Sequence, residues 1–279
     1  MITRLPSIPR VLICSSLGIS RSASYYRPVL PGRDKPWLDK ITKVLVHNPD
    51  YGICRLKIHF KLQGEVISQS KIRRLCRSNG IQAKHRKKKP KPRDRNIPHS
   101  GIPNLIKGIV PTQPNHIWCA DFTYLKVAGN WMYLATVIDI YTKEILGFCL
   151  STKHTAELVC RALNISLKRG RKPAIFHSDQ GSEYLSAEFR YILHKNNILQ
   201  SNSEKSSPWQ NSYQESFYGK FKKEMGCYRI QSCRTYMEVH NLIVHRIQYY
   251  NHHRIHTTIR NIPAKFYKQW LAREENKVS

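Results

Sequence analysis

The chain has 279 residues, which is enough for one or two domains with a substantial core. Lysine and arginine total 47 against 18 acidic residues, a formal net charge of +29, and this imbalance predicts a polyanionic partner such as nucleic acid or a membrane surface. No segment reaches the roughly 20 apolar residues that a membrane-spanning helix needs, which argues against an integral membrane protein.

Basic residues dominate the first part of the chain. Residues 1–36 form a basic N-terminal segment, and residues 37–83 predict three short helices joined by tight turns. Three such helices are typical of a helix-turn-helix-like DNA-binding domain. The third helix carries Arg73, Arg74 and Arg77, which are candidates for DNA contacts. A solvated basic helix explains the same residues equally well.

The strongest charge run lies in residues 84–114, where eight lysines or arginines occur between Lys84 and Arg95. Prolines within the run prevent a helix, so the segment is predicted to be a basic flexible linker. Such a run can bind phosphates with a favourable free energy, because binding releases counterions from the nucleic acid. The alternative is that the run only increases solubility. The candidate phosphate contacts are Lys87, Lys88 and Lys89.

Residues 115–275 show a different pattern, which predicts an α/β core. Strands at 117–127, 131–140 and 144–150 with short connections predict an antiparallel meander. Helices and short strands then alternate, and two or three long helices follow. This order predicts a mixed sheet flanked by helices.

Two aspartates of this core occupy informative positions. Asp121 lies inside the first strand, where Asp is disfavoured. Asp179 follows the short strand 173–177, at the carboxyl edge where open α/β sheets place their sites. Each residue alone also fits a structural role, because Asp121 could end a strand or pair with a base and Asp179 could begin a turn.

A third acid, Glu215, lies on the helix predicted for residues 208–225. The apolar residues of that helix recur every four positions and should face the sheet. Glu215 shares a different, polar face with Tyr218 and Lys222, so it points toward a site or toward water. A solvated glutamate paired with Lys222 is the structural alternative.

Together the three carboxylates fit phosphodiester chemistry. Two Mg²⁺ ions about 3.5–4 Å apart can clamp the attacking and leaving oxygens of an in-line displacement. Mg²⁺ is a hard cation that retains water and needs only a few carboxylates, one of which can bridge the two ions. Asp121, Asp179 and Glu215 are therefore predicted to be catalytic metal ligands.

Several blocks resemble insertion-sequence transposases of the second-reading-frame (OrfB) type, whose DDE core is similar to that of retroviral integrases. The spacing agrees, since 35 residues separate Asp179 from Glu215, as in that family. The resemblance covers nearly the whole chain from about residue 11. The blocks that carry it are Asn48–Gly52, Trp118-x-x-Asp121-x-Thr123, His177–Tyr184, Glu215–Lys222 and Tyr250–His256.

This resemblance implies a ribonuclease H-like catalytic core behind the helix-turn-helix-like domain. Asp121 and Asp179 would share one Mg²⁺, and Asp121 and Glu215 would hold a second, with Mn²⁺ as a substitute. Lys222 corresponds to a family lysine expected to contact DNA near the reacting phosphate. The implied reaction is cleavage at the ends of a mobile element, followed by attack of the freed 3′-hydroxyl on another phosphodiester.

The resemblance also implies partners. Element ends and target DNA are the substrates, and a homo-oligomer would act on them. A first-frame product (OrfA), separate or joined by frameshifting, would supply end recognition. The eight cysteines form no CxxC pair and no spaced framework, which is typical of a reduced cytosolic protein, here one associated with the bacterial nucleoid.

Alternatives exist for both the function and the last basic residues. A nuclease with the same core is one alternative, and a DNA-binding remnant without catalytic activity is another. Arg254 and His256 lie at the end of a predicted helix. They are interpreted as phosphate contacts or as charges that stabilise the helix C-terminus, with equal support.

Overall fold

The computed structural model describes residues 9–24, 30–81, 101–203, 212–225, 230 and 232–278. The predicted contacts Lys87, Lys88 and Lys89 lie outside these residues. No helix within the described ranges is long and apolar enough to cross a membrane.

Five helices occupy the described residues before position 82. They are α1 Arg10–Ser16, α2 Arg21–Ser24, α3 Leu30–His47, α4 Ile53–Leu62 and α5 Gln69–Ser78. Helices α3 to α5 enclose a small apolar core around Ile41, Phe60 and Ile72. Ser68 caps α5, because its hydroxyl accepts the backbone N–H of Lys71 at 3.1 Å. The three helices predicted for this region are therefore present and pack together.

Helix α3 crosses the boundary predicted at residue 36 between the N-terminal segment and the helical domain. An ion pair ties its early turns to α5. The Arg74 guanidinium donates to both carboxylate oxygens of Asp34 at 2.5 and 3.0 Å, and Lys71 Nζ lies 3.5 Å from the same carboxylate. This contact is distant in sequence, so local periodicity does not reveal it.

A five-stranded mixed sheet forms the centre of the second half of the chain. Its strands are β1 Ile117–Val127, β2 Asn130–Asp139, β3 Ile145–Ser151, β4 Ile175–Ser178 and β5 Leu199–Asn202. Their spatial order is β3-β2-β1-β4-β5. Strands β1, β2 and β3 pair antiparallel, which confirms the predicted meander, whereas β4 pairs in parallel with both β1 and β5.

Helices cover both faces of the sheet. They are α6 Ala156–Leu167, α7 Ala187–Lys195, α8 Ser212–Met225, α9 Tyr236–His252 and α10 Pro263–Val278. Neighbouring side chains of a strand point to opposite faces. Trp118 and Ala120 of β1 therefore join the core formed with α6 and α7. Leu125 and Val127 of the same strand join the core formed with α8 and α9.

Part of the predicted flexible linker packs against the sheet. The backbone carbonyl of Pro103 accepts the N–H of Asn202 at 3.2 Å, and the Ser201 hydroxyl accepts the backbone N–H of Leu105 at 2.9 Å. Ile106 is buried in an apolar cluster with residues of β1 and β4. The prediction of a flexible linker is therefore wrong for residues 103–106, since β5 supplies hydrogen-bond partners for their backbone and β1 and β4 supply apolar contacts for Ile106.

Two buried acids of the sheet have structural partners. The Asp139 carboxylate accepts the backbone N–H of Asn115 at 2.7 Å. Glu144 pairs with Arg169 at 2.8 Å and with Arg171 at 3.1 Å. These contacts stabilise the meander and give both acids a structural role.

The helical unit α3–α5 docks on the C-terminal part of the chain. The Tyr51 hydroxyl donates to the backbone carbonyl of His253 at 3.3 Å. The Glu224 carboxylate of α8 accepts hydrogen bonds from Arg55 of α4 at 3.1 Å and from Arg254 at 2.6 and 2.7 Å. One buried carboxylate thus connects α4, α8 and the segment after α9.

Candidate catalytic site

Strand pairing brings Asp121 and Asp179 side by side. Strands β1 and β4 pair in parallel with Cys119 opposite His177, and each aspartate follows its strand's paired residue by two positions. Neighbouring strands lie about 4.8 Å apart, and residues two apart share a face. The two aspartates therefore lie on the same face of the sheet, at the carboxyl end of β4.

Helix α8 lies over this face. The Gln214 side chain donates to the backbone carbonyl of Cys119 at 2.6 Å, and the Tyr218 hydroxyl donates to that of Asp121 at 2.7 Å. Glu215 follows Gln214 and precedes Tyr218 by one turn, but its side chain lies outside the described residues. The helix thus carries position 215 to the part of β1 that holds Asp121.

Helix α8 differs in one respect from the helix predicted for this region. The apolar stripe of α8 is buried as predicted, through Phe217, Phe221 and Met225. Tyr218 was expected on a polar face directed away from the core, yet it is only 6% exposed. Its hydroxyl finds partners on the backbone of β1, so this side of the helix also faces the sheet.

A buried tyrosine accompanies the two aspartates. Tyr184 is fully buried, and its hydroxyl has no hydrogen-bond partner among the described residues. Burial raises the pKa of Tyr184 most, and the negative charges of Asp121 and Asp179 raise it further. An unpartnered buried hydroxyl near two carboxylates fits a site that binds a polar or charged group.

The turn after β4 positions Asp179. Its Oδ1 accepts the backbone N–H of Gly181 at 3.0 Å. A Cβ on Gly181 would lie 3.1 Å from that oxygen and 2.9 Å from Oε2 of Glu183. Glu183 is 8% exposed and lies 3.2 Å from Nε2 of His154. Burial raises the pKa of Asp179, the Gly181 N–H lowers it, Glu183 raises it and His154 lowers it.

The donor set fits a hard divalent cation, since carboxylate oxygens are the ligands that Mg²⁺ prefers. Across the described residues, no three His, Cys, Asp or Glu side chains meet as a metal-binding group. The Glu215 side chain is not among them. Asp121, Asp179 and Glu215 therefore stay a predicted ligand set.

Both halves of the chain match known families. Residues 33–89 match the HTH-like domain family, and residues 111–208 and 196–263 match two families of integrase core domains. The chain is 30% identical to the 31 kDa protein of insertion element IS600 from Shigella sonnei over 276 residues, which cover 92% of this chain and 98% of that protein. The chain belongs to the insertion-sequence transposases. Its domain content is that of the OrfB type predicted from the sequence.

A second relative and a solved structure agree with this assignment. The transposase is 34% identical to transposase InsF for insertion sequence IS3A from Escherichia coli strain K12 over 179 residues, 62% of each chain. It superposes on a chain of the simian T-cell lymphotropic virus intasome in complex with the PP2A regulatory subunit B56 gamma, with a TM-score of 0.52 and 17% identity over 77% of this chain and 74% of that chain. The ribonuclease H-like fold is confirmed. The transposase is a DNA-binding polynucleotidyl transferase.

The predicted contacts on α5 lie at the surface of the transposase. Arg73 and Arg77 are exposed. Arg74 is bonded to Asp34 but keeps 45% of its side chain exposed. All three stay predicted DNA contacts, with part of the charge of Arg74 already neutralised.

The predicted DNA contacts outside α5 differ in burial and charge. Arg254 is 2% exposed and paired with Glu224, so the prediction that it contacts DNA is wrong. Burial, followed by the charge of Arg254, lowers the pKa of His256 to about 3, and this imidazole is therefore uncharged at neutral pH. Lys222 is half-buried on α8, one turn after Tyr218, and stays a predicted contact.

Sequence reasoning missed several residues of this site. Gln214 and Tyr218 fix α8 on β1. The signal available in the sequence was that these two polar residues lie four positions apart, on either side of Glu215. Glu183 and Tyr184 lie in the block His177–Tyr184 that carries the family resemblance, but the resemblance gave neither residue a role. His154 gave no signal, because its partner Glu183 is distant in the sequence.

Proposed function

We propose that this transposase cuts DNA at the ends of its insertion element and joins the freed 3′-hydroxyl to target DNA. Asp121, Asp179 and Glu215 are the proposed catalytic residues. The parallel pairing of β1 with β4 is the main support, because it brings both aspartates to one face beneath the helix that carries position 215. Attack by a 3′-hydroxyl needs no covalent protein intermediate, so the protein contributes positioning and charge neutralisation.

The three carboxylates would hold two divalent cations, Mg²⁺ or Mn²⁺ in its place. When bound, such ions supply charge stabilisation for the attacking and leaving oxygens. By family resemblance Asp121 would help to hold both ions. The donor chemistry and the unpartnered hydroxyl of Tyr184 support a site for charged groups here.

The protein's own contacts set the geometry of these carboxylates. Gln214 and Tyr218 hold α8 on β1, which fixes position 215 relative to Asp121. The backbone N–H of Gly181 orients the carboxylate of Asp179. Such positioning matters because a displacement of about 1 Å can reduce a rate about 100-fold.

Charge-neutral replacement of each ligand tests the proposal. We expect Asp121→Asn, Asp179→Asn and Glu215→Gln each to reduce cleavage and joining of a duplex carrying the element end by at least about 100-fold in Mg²⁺ or Mn²⁺. DNA binding should be largely retained. The matched control is Glu188→Gln, an exposed acid on α7, which should keep full activity. Normal cleavage in any of the three variants, or equal loss of DNA binding in all three, would contradict the metal-site role.

A nuclease is the second candidate function. Glu183 favours it, since this buried acid lies beside Asp179, and nucleases with this core usually carry a fourth acid. The same assay separates the two candidates: joined strands support transposition, whereas fragments without joined product support the nuclease. A catalytically inactive remnant predicts that no variant changes any activity.

We also propose that the transposase acts as a homo-oligomer on DNA and works with a first-frame product that recognises the element ends. These substrates place its action at the bacterial nucleoid. Light scattering after size-exclusion chromatography should give an oligomeric mass when the end duplex is present. A monomer in every mixture, with and without the first-frame product, would contradict the oligomer.

A further inference from the structure

A groove runs between the helical unit α3–α5 and helix α8. Its first part has a volume of 620 Å³. One wall carries Gln69 and Arg73 of α5, and the other carries Lys220 and Lys223 of α8. Arg73 and Lys220 are exposed. Both walls therefore contribute cations to the same groove.

A second cavity adjoins this groove, and Glu224 lines both. It has a volume of 310 Å³, shares Lys220 with the first part and adds Lys143, Ser216 and Cys119. Cys119 lies two residues before Asp121 on the same face of β1. Ser216 directly follows Glu215 on α8. The two cavities together extend from α5 to the part of β1 that precedes Asp121.

The acids along the groove are already engaged. Glu224 pairs with three arginines, and Asp50 pairs with one of these, Arg246, at 3.3 Å. Within the described ranges, no ion pair neutralises the remaining basic residues of the first part. Those residues are Arg73, Lys220 and Lys223. The groove therefore carries a surplus of positive charge.

Like charges crowd the lysines of the groove. Partial desolvation lowers the pKa of Lys220, the neighbouring Arg254 and Arg55 lower it further, and Glu224 raises it. Burial lowers the pKa of Lys143 to about 8; Cys119 and Asp139 oppose this shift, and Lys220 adds to it. An anion among these cations would favour their charged forms and relieve the repulsion.

We propose that this groove binds the phosphate backbone of the DNA segment that leads from α5 to the cleaved phosphodiester. Arg73 lies at one end, Lys223 and Lys220 lie along the α8 wall, and Lys143 lies at the other end beside Cys119. The inference rests on the proposed function, and it assigns a path for the DNA between the two domains. DNA fits this path because each strand offers a charge about every 3.4 Å along the helix axis.

Removal of two charges from the groove tests the proposal. The full chain carrying Lys220→Gln and Lys223→Gln is titrated with a fluorescent duplex that contains the element end, in Ca²⁺ to prevent turnover. We expect binding to weaken at least about 10-fold near 0.1 M salt, and the slope of log Kd against log salt to fall by about 2, one per lost phosphate contact. The matched control removes two exposed lysines elsewhere, Lys168→Gln and Lys195→Gln, and should change Kd less than about 2-fold.

Folding and ligand source are tested in the same series. The charge-retaining pair Lys220→Arg and Lys223→Arg should restore binding, which separates lost charge from lost structure. Equal weakening in the groove and control pairs, or an unchanged salt slope in the groove pair, would overturn the proposal. Stabilisation of the unmodified protein by millimolar inorganic phosphate, with duplex affinity unaffected by the groove variants, would show a small-anion site and also overturn it.

The outcome is independent of the carboxylate test. Binding is measured without chemistry, so the groove can fail while Asp121→Asn still abolishes cleavage. Conversely, the groove variants could bind the duplex more weakly while Asp121→Asn cleaves normally. That result would support the groove proposal and contradict the proposed function. Each result therefore addresses one claim.

Discussion

At the scale of single residues, Gly181 controls the spacing of the site. A Cβ at this position would approach the carboxylates of Asp179 and Glu183 at 3.1 and 2.9 Å. Glu183 cannot move freely, because it is 8% exposed and held by His154. The absence of a side chain thus allows two acids to flank the turn after β4.

Gly181→Ala is expected to impair catalysis more than folding. The added methyl group would push Asp179 from its position, and misplacement of this size should reduce cleavage by about 10- to 100-fold. Thermal melting and a Mg²⁺-dependent cleavage assay measure the two effects. Gly219→Ala is the control, because its Cβ meets nothing within 4 Å, and alanine in a helix should stabilise the protein by about 0.5–1 kcal/mol. Full cleavage by Gly181→Ala would contradict the steric argument.

At the scale of secondary-structure elements, the close approach of α6 to β3 depends on one residue. A Cβ on Gly147 would lie 2.6 Å from the backbone carbonyl oxygen of Ala162 and 2.9 Å from the backbone nitrogen of Ser166. Backbone atoms of a helix cannot yield as a flexible side chain can. The contact sets the depth of α6 against the sheet and thus the packing of the core on that face.

Gly147→Ala should therefore destabilise the fold. Overpacking of this kind costs about 1–3 kcal/mol, because the helix must shift away from the sheet. Urea unfolding followed by circular dichroism measures the change. A midpoint equal to that of the unmodified protein would show that α6 can move without cost, contrary to the geometry.

At the scale of the whole molecule, Glu224 joins the DNA-binding unit to the catalytic core. Its side chain is 9% exposed and pairs with Arg55 of α4, Arg246 of α9 and Arg254. Glu224 also lies on α8, the helix that carries Glu215. The pairing therefore fixes the helical unit on the same element that contributes to the site.

Glu224→Gln should destabilise this arrangement by about 3–5 kcal/mol, because it leaves buried guanidinium groups without their carboxylate. Denaturant unfolding provides the measurement. The exposed pair Glu274–Lys277, at 2.7 Å, gives the control, since Glu274→Gln should cost less than about 1 kcal/mol. Equal effects of the two substitutions would contradict a central role for Glu224.

The same residue predicts a dependence on pH. Burial opposes the charged form of Glu224, but hydrogen bonds and charges from Arg254 outweigh it and lower the pKa below the ordinary 4.5. The stabilisation is fully present above pH 4.5 and is lost as the pH falls through the lowered value. The Glu224→Gln variant should show a smaller loss of stability below pH 4.5 than the unmodified protein. Parallel curves would contradict this assignment.

Local patterns in the sequence predicted most of the elements and the chemistry they carry. Alternation predicted β1 at residues 117–127, the bounds that the structure shows. The charge of +29 indicated a polyanion, and the scarcity of acids directed attention to Asp121, Asp179 and Glu215. These features depend on residues near one another in the chain, so local patterns reveal them.

Contacts between distant segments of the folded chain establish which residues meet. The pairing of β1 with β4 aligned Asp121 with Asp179, and the docking of α3–α5 buried Arg254 against Glu224, which removed it from the DNA contacts. The physical reason is that burial and charge pairing depend on contacts between distant segments. The local sequence around an arginine does not show whether its side chain faces solvent or a buried carboxylate. Packing alone distinguishes the two.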